Sequence, residues 1–351
     1  MTYFRKNIAI DLGTTTILVR TKSGGVVLKE PSVVAFDIYN DKILAVGQEA
    51  KEMLGRTPGY IRAIYPMKDG VIADYPSTER MLKQFVKKTV GFSLFKPNAI
   101  ICVPSQASQV EKRAILQAAK EAGINRTFLI EEPLAAAIGA GIDISDPQGR
   151  MIIDIGGGTT DVAVISLGGI VVNKSIKVAG NQCDEAIIAY MKDRYNIAIG
   201  DKSAEKLKIE MGTGEEDLDK TLEVKGRNLI NGLPEHVFVS SEDMREALEE
   251  PLRQISNAVY DVLSETPPEL ASDLYDNGVL MTGGGAQIAG LDKKIQDRIG
   301  IEVSIAENTE GVVVIGTQKA ANWIKKLETL PDGDYQGSRQ EIARRESLRK
   351  R

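Results

Sequence analysis

A glycine- and threonine-rich strand-turn-strand pattern occurs twice in this chain. The first copy, IAIDLGTTTILVRTKSGGVV, begins at Ile8, and the second, MIIDIGGGTTDVAVISLGGIVV, begins at Met151. In each copy an apolar β-rich run ends in an aspartate, small residues follow, and a second β-rich run leads into a Gly-Gly turn. Because the whole unit is repeated, we expect the chain to fold into two similar halves.

The residues between the two strands of each copy are suited to binding phosphate. Glycine and threonine leave the turn free of bulky side chains, so backbone N–H groups and hydroxyls can approach phosphate oxygens. We therefore expect nucleotide phosphates to contact Gly13, Thr14, Thr15, Thr16, Gly156, Gly157, Gly158, Thr159 and Thr160. The preceding Asp11 and Asp154 suit a Mg²⁺ ion that keeps most of its water ligands. The duplication thus predicts a nucleotide and Mg²⁺ held between the two halves.

The composition excludes several other functions. With 42% hydrophobic and 26% charged residues, the 351-residue chain is typical of a globular protein of one or two domains. A net charge of −5 argues against general binding to nucleic acid. Cys102 and Cys183 have no CxxC partner, so we expect them to be reduced and structural, and the single His236 argues against a histidine metal site.

The N-terminal sequence predicts a cytoplasmic protein. MTYFRKN leads directly into a strand and has none of the features of a signal peptide. No apolar run reaches the roughly 18 residues needed for a transmembrane helix.

The order of strands and helices predicts an α/β fold. Strand and helix patterns alternate in both halves, which is typical of mixed, mostly parallel sheets with helices on their faces. Residues 33–67 and 182–243 interrupt the two halves at equivalent places and are expected to form small inserted subdomains. Ser240 and Ser241 with Asp243 predict the start of a long helix, and Thr266-Pro267-Pro268 predicts its end. From Pro331 onward, turn-forming residues predict a linker or tail.

Five further segments carry a resemblance to a known family. They are LIEEPLAAAIGAG (129–141), AIGDKSAEKLKIEMG (198–212), VKGRNLINGLP (224–234), SEDMREALEEPL (241–252) and TPPELASDLYDNGVLMTGGGAQIAGLD (266–292). Together with the two hairpins, they resemble the actin-like ATPases and, among them, the MreB family of bacterial cell-shape proteins. The resemblance runs from about residue 8 to residue 328.

This resemblance implies a duplicated actin-like ATPase fold with ATP and Mg²⁺ in a central cleft, and assembly into filaments. It implies a first large subdomain (1–32, 68–140 and 320–335), its small subdomain (33–67), a second large subdomain (141–181 and 244–319), its small subdomain (182–243) and a flexible basic tail (336–351).

The resemblance also implies roles for individual residues. Glu132 matches the residue that orients the attacking water, and Thr159 matches a hydroxyl that helps to hold it. The neighbouring Glu131 is a second candidate, and both carboxylates could instead merely stabilise the N-terminus of the following helix. Glu205 and Lys208 match ribose-contacting positions, although their spacing also fits a solvated i,i+3 pair. The family match places Gly283, Gly284 and Gly285 beside the adenosine and α-phosphate, where a simple turn is the alternative.

Several segments depart from the family pattern. The first loop reads DLGTTTILV where MreB proteins usually have DLGTANTLV, which leaves the rate of hydrolysis open. Asp161 replaces a more usual Glu, and the segments ENTEGVVVIG (307–316) and GNQCDEA (180–186) are also atypical.

The loop GFSLFKPNAI (91–100) is a candidate membrane contact. Phe92, Leu94 and Phe95 lie close in sequence to Lys87, Lys88 and Lys96, and apolar tips flanked by lysine suit shallow insertion among anionic headgroups. The matching loop of MreB proteins is associated with membrane attachment. The alternative is that these side chains pack inward as a small satellite cluster. The basic end RRESLRKR could add electrostatic attraction or remain a solvated tail.

From these observations we expect an ATP-dependent protein that forms homopolymeric filaments at the inner face of the cell membrane and organises cell shape with cell-wall synthesis proteins. The first alternative is a soluble phosphotransferase of the same superfamily, but no residue in a plausible loop offers a base for an acceptor substrate. The second is a heat-shock-type chaperone ATPase, which would continue into a peptide-binding domain that this sequence does not contain.

Overall fold

The computed structural model describes residues 7–21, 24–91, 95–212, 220–320 and 333–334. The chain divides into two compact units. The first unit contains the described residues of 1–147, 165–170 and 310–351, and the second contains those of 148–164 and 171–309. Nowhere in these ranges is a helix both long enough and apolar enough to cross a membrane.

The strands and helices occur in the order that the sequence predicts. The strands are β1 (Asn7–Leu12), β2 (Thr16–Thr21), β3 (Gly25–Pro31), β4 (Val34–Asp37), β5 (Lys42–Val46), β6 (Ile61–Ile64), β7 (Met67–Lys68), β8 (Val71–Ile72), β9 (Asn98–Val103), β10 (Arg126–Glu131), β11 (Arg150–Ile155), β12 (Thr160–Ser166), β13 (Gly169–Ile176), β14 (Ile197–Ala198), β15 (Thr221–Asn228), β16 (Pro234–Ser240), β17 (Val279–Thr282), β18 (Val303–Ile305) and β19 (Gly333–Asp334). The helices are α1 (Gln48–Met53), α2 (Tyr75–Val90), α3 (Gln109–Glu121), α4 (Glu132–Gly139), α5 (Gly180–Tyr195), α6 (Asp201–Met211), α7 (Ser241–Glu265), α8 (Pro268–Asn277), α9 (Leu291–Ile299) and α10 (Val312–Ala320).

The first unit is built on a six-stranded sheet in the order β19-β10-β9-β1-β2-β3. The first hairpin of the sequence supplies β1 and β2, which pair antiparallel, while β1, β9 and β10 are parallel neighbours. Strand β1 is buried on both faces, as expected for a strand covered by helices on each side. Ile8 and Ile10 pack in a cluster with Phe85 of α2, whereas Ala9 packs against Val314 of α10.

The second unit repeats this arrangement. Its sheet has the order β13-β12-β11-β17-β18, in which three consecutive strands are again followed by strands from later in the chain, here two where the first sheet has three. Strands β11, β17 and β18 are parallel neighbours, as β1, β9 and β10 are in the first unit. The duplicated α/β fold predicted from the repeated hairpin is therefore confirmed.

Each unit also contains a smaller sheet within the predicted insertions. In the first unit, β5, β4 and β6 form a three-stranded antiparallel sheet beside α1. In the second, β14, β15 and β16 form another, and α7 begins directly after it. The Ser240 hydroxyl accepts a hydrogen bond from the Asp243 N–H and the Asp243 carboxylate accepts one from the Ser240 N–H, which confirms the predicted helix start.

Two features near the C-terminal end differ from the sequence-based expectation. Helix α10 packs against α4 in the first unit, whereas residues 244–319 were assigned to the second large subdomain. Gly333–Asp334, which the turn-forming residues predicted to be linker although the resemblance assigned 320–335 to the first large subdomain, pairs in parallel with β10 at the edge of the sheet. Backbone pairing at a sheet edge needs no apolar periodicity, so the sequence pattern could not reveal it.

Two glycines permit the close approach of α4 and α10. A Cβ atom on Gly316 would lie 1.7 Å from the Ala135 carbonyl oxygen, and one on Gly139 would lie 2.0 Å from the Val312 carbonyl oxygen. Lys319 Nζ donates to the Ile138 and Gly139 carbonyls at 3.1 and 3.0 Å and so caps the end of α4. The two helices therefore pack with their backbones in contact.

We predict that Gly316→Ala destabilises the protein by about 1–3 kcal/mol, the usual scale for overpacking, although alanine is the better helix former. Urea unfolding would measure the change. Gly59→Ala is the control, because a Cβ atom there meets nothing within 4 Å. A Gly316→Ala variant as stable as the wild type would contradict the close helix contact.

Candidate functional site

The tip of the first hairpin is a tight loop held by neighbouring residues. A Cβ atom on Gly13 would lie 2.6 Å from the Thr16 carbonyl oxygen, so the loop needs glycine there. The Ser32 hydroxyl donates to the Gly13 carbonyl at 2.8 Å, and the Thr14 hydroxyl accepts from the Gly70 N–H at 2.9 Å. These contacts fix the conformation of the predicted phosphate loop, in which Thr15 and Thr16 are partly exposed.

Three parallel strands bring three functional side chains together at one end of the first sheet. Asp11 lies near the end of β1, Cys102 near the end of β9, and Glu132 directly after β10. The carboxyl ends of parallel strands meet at the same edge of a sheet, where α/β proteins commonly bind ligands. The ligand atoms of these three side chains all lie within 4.8 Å of one another.

Burial controls the protonation of this cluster. Desolvation raises the pKa of Asp11 to about 6, and a hydrogen bond from the Cys102 thiol partly opposes the rise. Burial and the negative charges of Asp11 and Glu132 raise the pKa of the Cys102 thiol well above its usual value. Cys102 is therefore a neutral thiol at physiological pH, while Asp11 is mainly ionised at pH 7.

The cluster fits a magnesium ion that is bound through its water ligands. Mg²⁺ prefers carboxylate oxygens and retains several waters, and Asp11 provides such an oxygen on a partly exposed edge, with Glu132 close enough to contact a bound water. The neutral thiol of Cys102 is a poor ligand for this hard cation and is better suited to donate a hydrogen bond. A cation there would offset the unfavourable burial of negative charge.

The second hairpin has its own tight loop beside a buried aspartate. Asp154 is 7% exposed and lies opposite Thr282 in the β11–β17 ladder. The loop is closed by a hydrogen bond of 2.9 Å from the Gly156 N–H to the Thr159 carbonyl. The fully buried Thr160 donates its hydroxyl to the Val178 carbonyl at 2.7 Å, so this hydroxyl is already engaged within the protein.

The glycines of this loop also contact the start of α5. The Gly180 N–H donates to the Gly156 carbonyl at 3.2 Å, and the Asn181 N–H donates to the Gly157 carbonyl at 2.8 Å. Gly158 lies next to these anchored residues in the same loop. The loop and the N-terminus of α5 therefore form a connected group of backbone donors and acceptors.

Lys208, predicted to contact ribose, belongs to a partly buried ion pair. Its Nζ atom donates to Asp184 at 2.8 Å and to the Gly180 carbonyl at 2.9 Å. Burial raises the pKa of Asp184 to about 6, against the opposing effect of Lys208 and with a smaller contribution from Glu205. Lys208 and Glu205 thus lie near the second hairpin, and the pairing with Asp184 is a contact that the sequence reasoning missed.

The glycines after β17 lie against the same strand end. Gly283 has a φ of +84°, and a Cβ atom on it would lie 2.7 Å from Asp154 Oδ1. A Cβ atom on Gly285 would lie 2.3 Å from the Ile155 side chain, whereas Gly284 has open space around it. The Thr309 carbonyl anchors the turn by accepting from the Gly283 N–H at 3.0 Å. The second unit therefore collects Asp154, its hairpin loop and this glycine turn at one edge.

The MreB/Mbl protein family matches residues 5–329 of this chain. The chain belongs to that family. Cell shape-determining protein Mbl of Bacillus subtilis is 48% identical over 326 residues, which cover 92% of this chain and 98% of that protein. Cell shape-determining protein MreB of Escherichia coli is 47% identical over 330 residues, which cover 92% of this chain and 94% of that protein.

A solved MreB structure confirms the fold. MreB 5 of Spiroplasma citri bound to AMPPNP has a TM-score of 0.88 and 39% identity, over 93% of this chain and 98% of that one. The same protein bound to ADP has the same TM-score. The resemblance to the actin-like proteins and the MreB family is thus confirmed, and the fold is actin-like.

The structure adds information on two positions that the sequence left open, Cys102 and the predicted membrane loop. Cys102 was expected to be only structural, yet its sulfur lies 3.1 Å from the Asp11 carboxylate. Its position opposite the end of β1 becomes visible only when the two strands are paired. In the predicted membrane loop, Phe95 is 44% exposed, while Phe92 and Leu94 lie outside the described residues.

We predict that Asp11→Asn stabilises the protein in the absence of nucleotide and Mg²⁺. The folded-state pKa of Asp11, about 6, lies above its ordinary value of 3.8, so ionised Asp11 lowers the stability of the protein at alkaline pH. This cost declines as the pH falls through 6. The gain from the substitution should reach about 3 kcal/mol at pH 8 and about half of that at pH 5.

Denaturant unfolding at the two pH values would measure this gain. Asp193→Asn, on the exposed surface of α5, is the control and should have little effect at either pH. If Asp11→Asn gave no gain at pH 8, the Asp11 carboxylate would not be substantially desolvated.

Proposed function

We propose that this protein binds ATP with Mg²⁺ through its two glycine hairpins, hydrolyses ATP slowly, and assembles into filaments that organise cell shape. The observation that carries the proposal is the convergence of Asp11 and Glu132 within 4.8 Å at the end of the first sheet. Its support includes the actin-like fold, the nucleotide-bound MreB 5 structures and the curated relatives named cell shape-determining proteins.

In this proposal the two aspartates organise the metal and Glu132 activates water. Asp11 and Asp154 would hold the water ligands of a Mg²⁺ ion, and the bound ion would neutralise phosphate charge. Glu132 polarises the water that attacks the γ-phosphate, and Thr159 helps to hold that water. Glu131 is 6% exposed and ends β10, whereas Glu132 is the carboxylate that lies within 4.8 Å of Asp11 and Cys102, so we assign the catalytic role to Glu132.

The glycine turns, Glu205 and Lys208 bind the rest of the nucleotide. Gly13 to Thr16 and Gly156 to Thr160 offer backbone N–H groups to the phosphates. Because its hydroxyl is engaged with Val178, Thr160 contributes its backbone alone. Glu205 and Lys208 contact the ribose, and Gly283, Gly284 and Gly285 lie along the adenosine and α-phosphate. Membership of the MreB/Mbl family favours this function over a soluble phosphotransferase.

Attachment to an anionic membrane completes the proposal. The loop 91–100 presents Phe95 to solvent beside the exposed Lys96. Burying Leu94 and Phe95 yields about 3–5 kcal/mol before the cost of immobilisation, which makes one loop a weak anchor. A filament repeats the loop many times, so polymerisation and membrane binding reinforce each other. The protein then acts at the inner face of the membrane, where cell-wall synthesis proteins are its partners.

We predict that Glu132→Ala lowers ATP hydrolysis by about 10²-fold while leaving ATP binding nearly unchanged, because it removes the positioned base but not the phosphate loops. Phosphate release and nucleotide titration would measure the two effects. Glu49→Ala, which removes an exposed carboxylate from α1, is the control. Hydrolysis at the wild-type rate in Glu132→Ala would show that another group positions the water.

We predict that the protein sediments with ATP more than with ADP, and that anionic liposomes enrich it in the lipid fraction. Sedimentation in four conditions, with each nucleotide and with or without liposomes, tests polymer and membrane together. Leu94→Ser with Phe95→Ser should abolish lipid binding while retaining ATP-dependent sedimentation. Tyr275→Ser, which removes an exposed aromatic side chain from α8, is the control.

Two outcomes would contradict this proposal. Equal sedimentation with ATP, ADP and no nucleotide would contradict nucleotide-dependent assembly. A large fall in the melting temperature of the double variant would instead indicate that the two loop side chains form a packed cluster, since polar substitution in a core costs several kcal/mol.

A further inference from the structure

Cys102 lies at the centre of the candidate site in the first unit. Strand β9 pairs with β1 on one side and with β10 on the other, so Cys102 is flanked by the strand that ends near Asp11 and the strand that precedes Glu132. Its side chain is 2% exposed, and its sulfur lies 3.1 Å from Asp11 Oδ1 and 3.6 Å from the Ile10 carbonyl.

We propose that Cys102 is a positioning residue that orients the Asp11 carboxylate for Mg²⁺-nucleotide binding by donating its thiol proton to Oδ1. The inference rests on the proposed ATPase function and adds a residue to it. Because Cys102 is buried on β9 between β1 and β10, the thiol donates from a fixed position. The hydrogen bond restricts rotation of the Asp11 side chain and directs the carboxylate toward the edge of the sheet.

The local charges require the thiol to be the donor. A thiolate at this position would be buried beside the carboxylates of Asp11 and Glu132, and like charges at such distances are strongly unfavourable. A neutral thiol can donate to the Asp11 carboxylate, and hydrogen bonds to an ionised acceptor are stronger than those between neutral groups. The side chain therefore supports the ionised form of Asp11 without adding charge to the site.

The second unit provides an internal comparison. Thr282 lies opposite Asp154 in the β11–β17 ladder. In the β1–β9 ladder Ile10 pairs with Ile101, so the next residue, Cys102, occupies the equivalent position beside Asp11. The Thr282 hydroxyl donates to the Thr309 carbonyl at 2.9 Å and so anchors the glycine turn. Equivalent positions in the two halves therefore hold side-chain donors, which donate to the Asp11 carboxylate in the first half and to the Thr309 carbonyl in the second. The duplication retains the donor and changes its acceptor.

The test separates the hydrogen bond from packing by using three substitutions. Cys102→Ala removes both donor and volume, Cys102→Val removes the donor while filling the space, and Cys102→Ser keeps a donor of similar size. Cys183→Ala is the matched control, because Cys183 is also a fully buried cysteine but lies on α5 in the second unit. Urea unfolding without nucleotide would show whether each variant is folded.

The first readout is thermal unfolding with ADP, which gives the Mg²⁺ concentration at which half of the ADP-dependent stabilisation is reached. The second readout is the kcat and KM of ATP hydrolysis. Loss of an outer-shell partner of a metal ligand typically costs about 10- to 100-fold in metal affinity or activity. We expect Cys102→Ala and Cys102→Val to raise the half-saturating Mg²⁺ concentration at least about tenfold and to lower kcat more than they change KM. Cys102→Ser should recover most of this loss, and Cys183→Ala should behave as the wild type.

Three results would overturn the inference. The first is Cys102→Val with wild-type Mg²⁺ dependence and kcat. The second is Cys102→Ser as defective as Cys102→Val, which would make packing rather than donation the important property. The third is an equal defect in Cys183→Ala. A wild-type protein that is not stabilised by ADP with Mg²⁺ and does not hydrolyse ATP would overturn the proposed function itself, and this result is distinct from a difference among the variants.

Discussion

The parallel pairing of β9 between β1 and β10 is the constraint on which the candidate site depends. Each strand ends at the same edge of the sheet, and that edge receives Asp11, Cys102 and Glu132 from positions far apart in the chain. A slip of one residue in either ladder would turn these side chains to the opposite face of the sheet. The core opposes such a slip of β1, because Ile8 and Ile10 would exchange faces with the small Ala9, which packs against Val314. The hydrophobic core therefore fixes the chemistry at the strand ends.

The two units have the same strand arrangement but different residues around the aspartate at the strand end. Both place an aspartate at the end of the first hairpin strand and glycines directly after it. In the first unit the aspartate adjoins a thiol and a second carboxylate, whereas in the second it adjoins the glycine turn after β17. The Asp184–Lys208 pair and the anchored start of α5 occur beside the second hairpin. The two units therefore share one strand arrangement and differ in the residues around each aspartate.

Local patterns predicted much of this architecture. The hairpins, the helix start at Ser240 and the stop at Thr266 depend on neighbouring residues, and the structure has them where the sequence indicates. Contacts between residues far apart in the sequence could not be predicted from local patterns. The hydrogen bond from Cys102 to Asp11 depends on the register of strands 91 residues apart, and nothing in AIICVP indicates its partner. The Thr160 hydroxyl was likewise assigned to phosphate, because only tertiary structure reveals its bond to Val178.

The packing of α10 on α4 has a consequence for how the chain is made. The first unit begins at the N-terminus but includes residues from 310 onward, so the whole second unit is synthesised before the helix that packs on Ala135 leaves the ribosome. During that interval Ala9 and Leu18 of the first sheet lack their contact with Val314. Domains otherwise tend to fold in order from the N-terminus as they are synthesised. In this chain the first unit therefore stays incomplete until α10 is made, and its apolar surface must be protected from association until then.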